Sequence, residues 1–333
     1  MFATWKYTLN RLVLSTIVWG AVLFGMGFLV LFSFDYMIAK NKHLLIDLIA
    51  NMPPPLKAMV GDSEQFATPK GFLDAKFFVQ SALILGIHAV LAGSGLLAVD
   101  EESGRLDLFA SYPVSRRSVF WGRTMALVTS MIAVITLAWL GLVASLPLTN
   151  LDVSPLELAL GCLSLFALSM VYVGMALLFS LLLPSRRTAA TTVGFLLFGS
   201  FLLALLAPAI DFVRPVHALL PFRFYQGGKA MDQLDVGSLL VLLSLTTVEL
   251  VAAWRLFERR DIRVKGEAVL KFKKTALGLT ACLVVYAAIV LPAAAWKGFD
   301  PLPTSPTDAI KQSLPPLEQL LPTGSTNVTR QRH

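Results

Sequence analysis

The sequence predicts an all-α integral membrane protein: a helical bundle of six transmembrane helices plus a seventh, with an N-terminal interfacial helix and a short helix between the second and third spans. Three observations carry this. The 333-residue chain is 56% hydrophobic and 15% charged, with mean hydropathy +0.70, against about 25% charged residues in soluble domains. Its apolar runs reach the roughly 20 residues that a helix needs to cross a bilayer. Lysine and arginine collect in alternate connections between those runs. A lipid-exposed backbone must close its own hydrogen bonds, which makes the runs helices.

In chain order, Phe2, Trp5, Leu9 and Leu12 recur at helical spacing beside Lys6 and Arg11, as in a helix lying in the membrane interface or in the opening turns of the first span. The first span, residues 12–34, is too long for a signal-peptide core of about 7 to 15 residues and lacks a small-residue cleavage site. Residues 35–76, broken by Pro53, Pro54, Pro55, Gly61 and Gly71, form an extracytoplasmic loop. Further spans are expected at 77–99, 124–146, 156–183, 189–206 and 238–256, and a seventh at 275–295. The Pro-rich stretch 297–333 has little to pack and is expected to be disordered. No internal repeat is evident.

Basic residues orient the chain. Lys6 and Arg11; Arg105, Arg116, Arg117 and Arg123; Arg186 and Arg187; and the cluster from Arg255 to Lys274 all fall on one side. The positive-inside rule makes that side cytoplasmic, with the amino terminus inside and the tail outside. The net charge of +7 therefore reports topology, not a nucleic-acid surface. Cys162 and Cys282 lie inside apolar runs without metal-ligand spacing, and read as small apolar residues.

The most informative stretch lies between the second and third spans: Glu101, Glu102, Ser103, Gly104, Arg105, Leu106, Asp107, Leu108, Phe109, Ala110, Ser111, Tyr112, Pro113, Val114, Ser115, Arg116. If residues 105–112 are helical, Leu106, Leu108, Phe109, Ala110 and Tyr112 sweep a wide apolar arc and leave Asp107 and Ser111 polar. Gly104 permits a sharp exit from the second span, Pro113 stops the short helix, and Ser115 caps the next. Two or three turns are too short to span a bilayer, so this surface calls for a partner.

Here the chain resembles the type-2 ABC transporter permeases. Their first cytoplasmic loop carries Glu-Glu-x-Gly-x-Leu-x-Leu and then Pro-Val-Ser-Arg, matched by Glu101, Glu102, Gly104, Leu106, Leu108, Pro113, Val114, Ser115 and Arg116. The resemblance extends more weakly over 1–261, through Leu220, Pro221, Phe222 and Tyr225 before the sixth span and Phe257, Arg259, Arg260 and Asp261 after it. It implies a permease domain over 1–261 whose residues 101–117 form a cytoplasmic coupling helix docked in an ATPase subunit. Glu101, Glu102, Gly104, Arg105, Leu106, Leu108, Phe109, Tyr112, Pro113 and Arg116 would make that contact. It further implies two ATP-binding subunits, a second permease copy or paralogue, and residence in a bacterial inner membrane. ATP and Mg would be bound by the partner ATPase and no cofactor by this chain, which is expected not to be catalytic itself. The sequence agrees in lacking GxxxxGK[ST]: at Gly227, Gly228 and Lys229 the first Gly is replaced by Arg223 and the final Ser or Thr by Ala230. The seventh run, with its basic linker (262–296), and the tail depart from six-helix permeases, and would anchor the chain or bind an accessory protein.

Two ionisable residues fall within spans, His88 in the second and Glu249 in the sixth. An intramembrane carboxylate is costly and marks function or a structural hydrogen bond; both readings stand, and for His88 the structural one is favoured. The resemblance implies that the second and fifth spans line the translocation path. That makes Gln80, Ser81, His88, Ser94, Thr191, Thr192 and Ser200, with Glu249, the candidate path residues. Two other classes compete. Glu101, Glu102 and Arg105 suggest the Glu-Glu-x-x-x-Arg of CAAX-type intramembrane proteases, but Leu106 stands where that Arg belongs, and no Ser-His pairing or HExxH accompanies it. A non-transporting scaffold on the same fold would keep the short helix and lack a polar path.

Overall fold

The computed structural model describes residues 1–34, 47, 51, 68–102, 115–149, 151–208, 210–259 and 272–296. Its long helices are α1 (Phe2–Phe34), α2 (Val79–Glu102), α3 (Arg116–Ser145), α4 (Pro155–Leu182), α5 (Arg186–Leu206), α6 (Val236–Arg259) and α7 (Phe272–Trp296), and there is no strand among the described residues. The first six are long and apolar enough to cross a membrane; in α7 the described apolar stretch is the shorter Val284–Ala295.

Local sequence explains the starts of these helices. Ser115 caps α3, accepting from the Ser118 amide at 3.2 Å. Ser154 and Glu157 form a reciprocal capping box with Pro155 in the first turn of α4, and Ser185 accepts from the Thr188 amide at α5. Each satisfies first-turn amides that the helix itself leaves without acceptors.

The amino-terminal segment is not a separate interfacial helix. It forms the first turns of α1, whose 33 residues span about 50 Å at 1.5 Å per residue. Contact with α3 holds it there: the Trp5 indole donates to Thr129 Oγ1 at 3.3 Å, and Gly122 leaves room for the Met1 carbonyl and Thr4.

In lipid, apolar area does not drive helices together, and close packing and interhelical hydrogen bonds take over. α1 and α3 run parallel and touch backbone to backbone where Gly141 meets Phe24. Thr16 and Ser130 share a hydrogen bond of 2.6 Å across the same seam. α4 is the central helix, with 83% of its most apolar stretch buried against 22% for α5. Its Gly161 receives the Phe78 ring and its Gly174 the Glu249 side chain, while its Val173 carbonyl and Ala176 face Gly93 of α2.

At the bundle end distal to Met1, helix begins earlier than residue 77. Thr68 caps a short helix at Pro69–Leu73, which continues through a π-helical turn, Asp74–Phe78, into α2. A π turn releases carbonyls from the regular ladder, and the Tyr225 hydroxyl donates to one of them, Phe78 O, at 2.9 Å. Asp74 accepts the Gly228 amide at 2.7 Å. A side chain at Gly228 would strike Asp74, and Gly227 has φ +54°, a left-handed conformation that glycine tolerates best. Lys70 joins Glu157 and Asp232, each at 2.8 Å. Partly exposed pairs contribute little energy, but together these contacts fasten the α5–α6 connection to the start of α2.

Candidate functional site

Two places could carry function: the base of the loop between α2 and α3, and the polar groups buried among the spans. Glu101 and Glu102 close α2. Gly104, Arg105, Leu106, Leu108, Phe109, Tyr112 and Pro113, where a short helix is expected, lie outside the described residues, and the loop is described only at its two attachments. On the far side Arg116 opens α3, and its guanidinium donates to the Glu258 carbonyl at 3.5 Å.

Those attachments are tied to the bundle. Arg123, buried in α3, donates to the Leu96 carbonyl of α2 at 3.1 Å. Phe120 and Phe257 pack with ring centres 5.7 Å apart, and Trp121 and Trp254 at 6.0 Å. The Arg117 and Arg255 guanidiniums lie 5.7 and 4.9 Å from the Trp254 ring, within cation–π range. A displacement of the loop would thus be felt by the opening turns of α3, the closing turns of α6 and the end of α2 together. Arg123 entered the sequence reading only as a charge; nothing in the linear pattern shows that it is buried across a helix boundary.

The eight candidate path residues separate. His88 is buried, its ring 5.2 Å from Trp19 of α1, and its Nε2 has no hydrogen-bond partner among the described residues. Ser200 shares a hydrogen bond of 2.6 Å with Tyr172 of α4. Ser94 donates within its own helix to Leu91 O at 3.3 Å, and buried Ser81 has no partner for its hydroxyl among the described residues. Gln80, Thr191 and Thr192 are exposed. Glu249 is buried against Gly174 on the other side of α4, and its Oε2 has no partner among the described residues.

His88 alone of the eight borders a cavity of about 320 Å³ between α1, α2 and the start of α5. Arg11 and Arg186 stand at one end, Trp19 and His88 at the other, with Leu12, Leu91, Ala92 and Leu96 between and Thr8 and Ser15 along α1. Gly95 makes room for the Arg186 guanidinium, because a Cβ there would lie 3.1 to 3.2 Å from three of its atoms. Sequence reading missed this grouping; Arg11 and Arg186 are 175 positions apart and only the α1–α2–α5 packing joins them.

The bundle thus has six helices long and apolar enough to cross a membrane, polar groups buried among them, and a basic, aromatic-clamped loop base at one end. A family model described as ABC-2 family transporter protein matches residues 25–262, and the chain belongs to that family. No curated protein matches it.

Proposed function

We infer that this protein is the permease subunit of an ATP-driven ABC exporter, coupled through residues 101–117 to a separate ATP-binding subunit. Family membership supports the permease role. The observation that carries the coupling is the loop base, where Arg116, Phe120, Trp121 and Arg123 join both attachments of the short helix to α2 and α6. A groove in the ATPase that moved the helix would thereby move three spans.

On this reading ATP and Mg bind the partner, which works as a pair, and a second permease copy or paralogue completes the path. α5 supports such pairing: Phe195, Leu196, Phe198 and Leu202 are exposed, and Gly194 and Gly199 have no other atom near their Cβ positions. A bacterial inner membrane is what the family resemblance implies, and the positive-inside rule would make the arginine-rich end cytoplasmic.

Phe109 is the test. Burying an apolar side chain of this size in a groove is worth about 1.5 to 3 kcal/mol, and a buried unpaired charge costs several more. Phe109→Asp should give an inserted permease that loses its ATPase on purification or uncouples hydrolysis from transport, while Asp107→Asn has little effect. Wild-type stoichiometry and rate for Phe109→Asp would refute the coupling role.

A further inference from the structure

We propose that the π-helical turn Asp74–Phe78 and the α5–α6 connection form a two-position latch, closed in this structure and opened when the turn rewinds as regular α-helix. The register of the turn carries this. The Val79 amide donates to the Asp74 carbonyl, five residues back, a bond spanning one residue more than the α-helical ladder's. Phe72 and Leu73 before the turn, and Phe77 and Phe78 at its end, are all buried. On a regular helix five residues at about 100° each would set these pairs about 140° apart; the wider turn brings both to the core. It also aims the ties. Asp74 accepts the Gly228 amide at 2.7 Å, and Lys70 holds Glu157 and Asp232, each at 2.8 Å. Rewinding by one residue would swing residues 69–74 by about 100° and shift them about 1.5 Å along the axis. Asp74 and Lys70 would then leave their partners with every side chain intact.

The other half of the latch is a loop closed on itself. The Asp235 amide donates to Gln226 Oε1 at 2.7 Å, and Gln226 Nε2 donates to the Asp235 carbonyl at 2.9 Å. Ala230 and Met231 are buried within it. The loop docks through three polar contacts: Gly228 on Asp74, the Tyr225 hydroxyl on Phe78 O at 2.9 Å, and the Gln226 amide on Ser164 at 3.1 Å. Just before it, Phe222 packs on Tyr172 and Phe201 with ring centres 6.1 and 5.8 Å apart. Release of the connection would therefore uncover α4 and α5 where Tyr172 holds Ser200. Burial of the Phe72, Leu73, Phe77 and Phe78 side chains makes the latched form the resting one.

The latch is a property of this chain, and the permease reading enters only as the reason for opening it. The purified full-length permease in nanodiscs, with Cys162→Ala and Cys282→Ala, carries Met231→Cys as a reporter for an impermeant maleimide; Met231 is 2% exposed. Deleting Ala75 gives the turn the residue count of an α-helix and keeps every tie-forming side chain. It should speed labelling at least about tenfold, as local opening requires, while Ala75→Ser, which keeps the register, labels at the wild-type rate. Asp74→Ala combined with Tyr225→Phe removes ties at unchanged register; it too should speed labelling, and decides the matter if the deletion variant does not elute as a folded species. Hydrogen exchange of residues 74–79 and 225–235 should proceed in one cooperative step, which two positions require and a fixed fastening does not. ATP and Mg added to the assembled complex should speed Met231→Cys labelling. A fast deletion variant without a response to ATP would uphold the latch and count against the ATPase coupling. Wild-type labelling in the folded deletion variant, or exchange of the two segments at unrelated rates, would overturn the proposal.

Discussion

Glu249 and His217 show how differently a single buried ionisable group behaves on either side of the membrane boundary. Glu249 sits within α6 against Gly174 with Oε2 unpartnered, where insertion scales put the cost of a charged side chain at about 2.5 to 3.5 kcal/mol. Glutamine keeps the shape without the charge. Glu249→Gln should therefore match or exceed wild-type thermal stability while slowing transport by the assembled complex; undiminished transport would leave Glu249 a packing role only. His217 lies in the α5–α6 connection, where burial and the nearby Arg223 lower its pKa from 6.5 to about 4. The folded protein then binds fewer protons than the unfolded chain between those values. The stability His217 contributes is present above pH 6.5 and drains away as pH falls toward 4. Thermal melts from pH 7 to 5 should show a shallower decline for His217→Gln than for wild type; equal slopes would assign the acid sensitivity to other groups.

At the scale of elements, glycine positions decide which helices can meet. At Gly141 an added Cβ would collide with the Phe24 backbone, which has no rotamer to yield, whereas at Gly25 of the same seam's partner helix it would meet nothing within 4 Å. Overpacking a tight contact costs about 1 to 3 kcal/mol. Gly141→Val should therefore lower the melting temperature and loosen α1 from α3, read as accelerated proteolysis near the amino terminus. Gly25→Ala gains up to about 1 kcal/mol of helix propensity and should melt at or above wild type. The same reasoning explains why the amino-terminal turns follow α3: Gly122 admits the Met1 carbonyl, and one indole hydrogen bond to Thr129 fixes a segment that amphipathic spacing alone leaves between two fates.

For the whole molecule, the start of α1, the end of α2 and the starts of α3 and α5 gather at one end of the bundle, as the Trp5, Arg123 and Arg186 contacts show. The capped and ion-paired connections around Asp74 and Lys70 occupy the other. Alternation of this kind is what positive-inside topology requires of a cytoplasmic amino terminus, and on that proposed orientation the tail beyond α7 is expected outside. A single cysteine at Ser325, in a background with Cys162→Ala and Cys282→Ala, should react with an impermeant maleimide on intact cells. Protection until lysis would put the tail inside and return α7 to the cytoplasmic face.

The sequence by itself determined the solvent, six long apolar helices, the Ser115 cap and the family-like loop motif, because each follows from local composition: hydropathy over about 20 residues, or a Ser, Pro or Gly at one position. Tertiary structure alone decided the rest. Whether Phe2 to Arg11 left the bundle depended on Gly122 and Thr129, more than a hundred positions away. Which polar residues share a space depended on packing too: Ser200 was claimed by Tyr172 and Glu249 by the Gly174 face, while His88 lines one cavity with Arg11 and Arg186. In lipid, helices choose neighbours by close fit and pairwise hydrogen bonds, and those couplings leave no period in the linear chain.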